Sequence, residues 1–214
     1  MNRKLLPLAA LAALLLAPSI SRADPQACAR AAAQAERSNR VPARLMQAIA
    51  LAESGRRDDD RQASFAWPWT INAEGLGRYF ATKDAAIAEV ERLKARGVRS
   101  IDVGCMQVNL MHHPDAFASL DEAFDPAKNA AYAGQFLREL HEAQGSWPAA
   151  VAHYHSATPE RHEPYRKRVY ALWHEAQAKA AADAPPSIRA VLPGGMRNNW
   201  VITRGRVLQV TTRR

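Results

Sequence analysis

The strongest constraint on this chain is the segment Val41-Pro42-Ala43-Arg44-Leu45-Met46-Gln47-Ala48-Ile49-Ala50-Leu51-Ala52-Glu53-Ser54-Gly55, which reads as one helix with an acid at its end. Pro42 suits a first helical turn and Gly55 a stop. Leu45, Ile49 and Ala52 recur at helical spacing, and Glu53 falls on the edge of that apolar stripe. A carboxyl held there points toward the core side. Partial desolvation and the negative end of the helix dipole then both raise its pKa and favour the protonated form that a general acid needs. Taken alone, a glutamate in a last helical turn also reads as an exposed charge, so the other segments must decide.

The 214 residues, 48% hydrophobic and 23% charged, suit one ordinary domain with short extensions. Residues 1–23 stand apart from it as a signal peptide. Arg3 and Lys4 precede the apolar run Leu5 to Ala17, and Ser21-Arg22-Ala23 supplies small residues for cleavage after Ala23. That run is short for a membrane span and is followed by a polar, Ala-rich segment, so no stable membrane anchor is expected after cleavage. Cys28 lies too far past the run for lipoprotein processing. Export to the periplasm makes Cys28 and Cys105 an expected disulfide, contributing ~4 kcal/mol on a chain-entropy estimate, with two separate buried thiols as the alternative. The formal charge of +8 favours polyanionic surroundings. Nucleic acid is not among them, since an exported chain rarely meets it and no reader motif is present.

Taken in order, Asp24-Pro25 opens a first mature helix running to about Arg37. After Gly55 the charged stretch to Arg61 reads as a solvated loop without the spacing of a calcium site. Trp67 to Asn72 and Arg78 to Ala81 flank Ala73-Glu74-Gly75-Leu76-Gly77 as a β-hairpin. A helix from about Lys83 to Arg96, capped by Thr82 and ended by Gly97, precedes Ser100 to Val103, a third strand that breaks at Gly104. A long helix from Asp125-Pro126 to Gln144 should bury Ala130, Ala133, Phe136, Leu137 and Leu140. Ser146 caps a shorter helix through Tyr154, and a last helix runs from Tyr165 to about Ala182. Residues 183–214 read as a basic, largely flexible C-terminal tail with one strand near Asn199 to Ile202.

Three separated segments then line up: Glu53-Ser54, Gly104-Cys105-Met106-Gln107-Val108-Asn109, and Ala152-His153-Tyr154-His155-Ser156-Ala157. In type and order they resemble the Glu-Ser, Gly-x-Met-Gln-[Ile/Val]-x and Ala-Tyr-Asn segments of the soluble lytic transglycosylase family, across roughly Arg40 to Trp173. The resemblance implies a mainly α, lysozyme-like α+β fold over residues 24–182, a helical lobe with a small three-stranded β insertion at about 65–103 beside an active-site cleft. It also implies cleavage of peptidoglycan glycan strands at the MurNAc-GlcNAc β-1,4 bond. Glu53 would be general acid and then base, taking the proton from the muramoyl C6 hydroxyl as a 1,6-anhydro ring closes. One carboxyl suffices when the nucleophile is internal.

By the same resemblance Met106, Gln107 and Asn109 line the cleft floor, with Met106 packing under Glu53 and Gln107 bonding a sugar. Ser54 supports the acid, and Tyr154 reaches toward it. His155 stands where the family has Asn, and Ala157 where it has Gly. Asp102, just before the Gly104 turn, could align a water instead, in the goose-type lysozyme manner. A non-catalytic peptidoglycan-binding scaffold is a third reading. No cofactor is implied. Neither His153 with His155 nor His112 with His113 has the spacing of a helical zinc motif with a partner acid, so no metal is expected. A nucleophile elbow is absent too. An envelope-spanning secretion or flagellar machine is the partner expected besides the glycan.

Overall fold

Leu45, Met46 and Ile49 are fully buried, as their helical spacing requires, and the rest of the structure packs around the helix that carries them. The computed structural model describes residues 24–183 and the backbone of residues 199–203 and 206–210. The signal peptide read at residues 1–23 lies outside these residues, as does most of the tail.

Helix α1 (Ala27–Asn39) begins after a turn in which Asp24 Oδ1 accepts from the Gln26 amide at 2.8 Å. Asp24 therefore shapes the entry rather than capping the helix. Helix α2 (Leu45–Ser54) starts later than Pro42, because Arg44 adopts φ 69° and Leu45 N–H turns back to the Pro42 carbonyl. Its first amide donors, which have no partner within the helix, are capped from another one: Glu36 Oε1, buried on α1, accepts from Met46 N and Gln47 N at 2.9 and 3.2 Å.

The charged stretch after α2, expected as a loop, is a strand as far as Asp58 and an exposed turn only from Asp59 to Gln62. Strands β1 (Gly55–Asp58) and β2 (Ala63–Ala66) form an antiparallel ribbon, registered with Gly55 opposite Ala66. Of its eight strand residues only Ala66 is buried, so backbone pairing makes the ribbon rather than a buried face. Arg56 also lies over the Trp67 ring at 4.6 Å. The expected hairpin is β3 (Thr70–Ala73) with β4 (Leu76–Tyr79), followed by α3 (Lys83–Ala95), which Thr82 caps by accepting from Ala85 N. The third strand, β5 (Ile101–Val103), pairs antiparallel with β3. A fourth, β6 (Val108–Asn109), pairs with β5, so the sheet runs β4-β3-β5-β6 instead of stopping at three strands.

Short α4 (Leu120–Ala123) leads to α5 (Pro126–Gln144), α6 (Trp147–His155) and α7 (Pro159–Ala182). Asp125 and Ser146 cap α5 and α6 through Lys128 N and Ala149 N. Of the residues expected inside along α5, Phe136 and Leu140 are only part-buried, while Asn129 and Gly134 are buried instead. A Cβ on Gly134 would stand 2.7 Å from Asn39 Nδ2, so glycine is what lets α5 approach α1 this closely. Helix α7 begins at Pro159, six residues ahead of Tyr165, and continues through Pro164. In the tail, β7 (Asn199–Thr203) and β8 (Arg206–Val210) form an antiparallel pair where one strand was expected.

Two cores result. One lies among the helices and contains Leu45, Ile49, Val151 and Val169; the other lies between the four-stranded sheet and α3, around Ile71, Val90 and Phe124. The Cys28–Cys105 disulfide, with Cα atoms 5.5 Å apart, ties α1 to the segment after β5. No described helix is long and apolar enough to cross a membrane.

Candidate active site

The end of α2 is held by the segment that follows β5. Ser54 is fully buried, and its Oγ donates to the Cys105 carbonyl at 2.8 Å, so Ser54 fixes the helix end and does not face the cleft. Gly104 turns the chain with φ 81°, and a Cβ there would come within 2.4 Å of Asn129 Nδ2. Only glycine fits both the conformation and the approach. Asn129, fully buried on α5, then donates to the carbonyls of Val103 and Ala123 at 3.0 Å and accepts from Met106 N at 2.8 Å. A lone buried asparagine gives no periodic signal in sequence, and its role rests on partners far along the chain.

A cleft of about 570 Å³ opens between the sheet and the α5, α6 and α7 side. Glu53, Asp102, Gln107, Asn109, Tyr154 and His155 line it. Met106 does not. It is fully buried, and its carbonyl accepts from the Tyr154 hydroxyl at 2.8 Å. Tyr154 thus gives its hydrogen bond to the 104–109 segment and not to the acid. Gln107 donates from Nε2 to the carbonyls of Thr70 and Gly104 at 3.1 and 2.9 Å, which leaves Oε1 to meet a ligand hydroxyl. Asn109 is committed at both ends. Its Nδ2 donates to Asp102 Oδ1 at 2.7 Å and to Ser100 Oγ, while its Oδ1 accepts from Met111 N and His112 N. Asn109 therefore orients Asp102 rather than a sugar.

Burial pushes the Glu53 carboxyl up to about 7, opposed by the nearby Tyr165 hydroxyl, reinforced by the Asp102 charge and opposed again by Arg168. The Tyr165 hydroxyl is buried and closes no hydrogen bond, yet it lies near enough to favour the ionised form of Glu53. Its ring stacks on His155 at 4.4 Å. In the sequence Tyr165 was legible only as the expected start of the last helix. Burial also raises the Asp102 carboxyl, while the amides of Asn109 and Asn72 and then the His155 and His112 rings hold it down. His155 is lowered by burial and by Arg161, against the pull of Asp102. The site is thus an acid in the cleft wall whose burial favours its protonated form, with a second carboxyl fixed on the sheet side. Among the described residues, no three His, Cys, Asp or Glu side chains converge as a metal site.

Residues 30–172 match the transglycosylase SLT domain family. No curated protein and no solved structure matches the chain. The match covers all three segments that form the cleft, and the helices and small antiparallel sheets have the mainly helical, lysozyme-like α+β architecture of that family. The chain belongs to the SLT transglycosylases, the lytic transglycosylase family that acts on peptidoglycan.

Proposed function

We propose that the protein cleaves the β-1,4 bond between N-acetylmuramic acid and N-acetylglucosamine and leaves 1,6-anhydromuramoyl ends. Glu53 protonates the glycosidic oxygen as the C1–O bond breaks. Its carboxylate then takes the proton from the muramoyl C6 hydroxyl while O6 bonds to C1, so no water is consumed. The observation that carries this reading is Glu53 in the cleft wall with a carboxyl that burial holds protonated to about pH 7. Gln107 Oε1 is the polar end left to orient a sugar. With residues 1–23 as an export signal, the enzyme acts in the periplasm, where an envelope-spanning machine would need local opening of the wall.

A second reading, hydrolysis with Asp102 as base, draws support from Asp102 lining the same cleft and raising the Glu53 pKa. Digestion of purified peptidoglycan with mass analysis of the released muropeptides tests both. Anhydro ends are expected. Reducing ends would make the protein a lysozyme, and no release would leave a glycan-binding scaffold.

A further inference from the structure

The cleft holds a cation that neither carboxyl uses. Arg161, in the first turns of α7, lines it beside His155. Of the two acids in its own turn, Glu163 pairs with Arg166 at 2.6 Å and with His162, and Glu160, one position away on the helix where side chains do not face each other, forms no ion pair with it. Among the described residues Arg161 itself makes no side-chain hydrogen bond or ion pair. The cation acting on Glu53 is Arg168, and the rings acting on Asp102 are His155 and His112. What Arg161 acts on within the chain is the His155 imidazole, a group it repels. The positive end of the 24-residue α7 dipole adds to the same potential.

We infer that Arg161 is a specificity residue that binds a carboxylate of the glycan strand at the α7 edge of the cleft. This rests on the peptidoglycan reading of the cleft. A guanidinium presents a planar fork that suits a carboxylate bidentately, and a cation free of internal partners keeps that fork available. Glycan strands offer carboxylates in two places: the lactyl group of muramic acid when it is unsubstituted, and the stem peptide when one is attached. Neutral chitooligosaccharides offer none.

The test measures dissociation constants in the Glu53→Gln background, so that the outcome does not depend on turnover. Arg161→Gln should weaken binding of the strands about tenfold or more, the scale of a charge-assisted bond. It should leave chitooligosaccharide binding unchanged, and Arg161→Lys should recover part of the loss. Loss confined to stem-bearing strands assigns the stem carboxylate; loss confined to strands stripped of their stems assigns the lactyl group. Unchanged binding of both strands, or an equal loss with the neutral oligosaccharide, overturns the inference. Failure of the wild-type protein to release muropeptides would count against the transglycosylase reading alone.

Discussion

Tyr154 donates its hydroxyl to the carbonyl of Met106 at 2.8 Å, and so joins α6 to the segment that also receives Ser54. The two tyrosines beside Glu53 therefore separate in function. Tyr154→Phe strands the Met106 carbonyl and should cost about 1–3 kcal/mol of stability, with the pH dependence of cleavage unmoved. Tyr165→Phe removes a group that favours the Glu53 carboxylate, so the pKa rises and the alkaline limb of kcat/KM should shift to higher pH. Rate profiles of the two variants check this, and an equal shift in both would refute the division.

Glu53→Gln should abolish cleavage with the fold retained, because an amide cannot donate and then reclaim a proton. It also carries a stability signature. The Glu53 carboxyl is raised from 4.5 to about 7 on folding, so between those values the folded protein holds a proton that the unfolded chain releases. Its contribution falls as pH rises through that window and is lost above pH 7. The shift corresponds to about 3 kcal/mol at most. Denaturant melts should show Glu53→Gln more stable than wild type at pH 8 by up to that amount, with the difference vanishing near pH 4.

Asp102→Asn removes a negative charge that raises the Glu53 pKa, so the alkaline limb should move to lower pH. The amide mismatches one of the donors from Asn72 and Asn109, at a cost of about 1 kcal/mol. Anhydro products should remain dominant. A loss of about a hundredfold in rate, together with loss of reducing-end products, would assign Asp102 the role of a hydrolytic base.

The Cys28–Cys105 bridge spans 77 residues, and the chain-entropy model gives it about 4.5 kcal/mol. Reduction should lower Tm and speed hydrogen exchange at Met106 N–H, which Asn129 Oδ1 protects beside the acid. Exchange at that amide indifferent to reduction would show that the hydrogen bonds from Asn129, Ser54 and Tyr154 hold the segment without the bridge.

The helices α1, α3, α5 and α6, the β3–β4 hairpin and the disulfide pair were legible because their signals are local or few. Thr82, Asp125 and Ser146 each cap an amide three residues away, and two cysteines admit one pairing. The acid at the end of α2 was legible for the same reason, as an edge position on a helical stripe. Its protonation was suggested by the sequence, but the extent came from desolvation by segments far along the chain. Tertiary structure alone made Glu36 the cap of α2 across a break, turned Asn129 into the clasp for Met106, and set Tyr165 rather than Tyr154 to tune Glu53. It also paired β1 with β2 and added β6, whose short or charged strands carry no periodicity. A hydrogen bond between residues distant in sequence leaves no pattern in either segment, because its energy depends on a separation that exists only after the chain has packed.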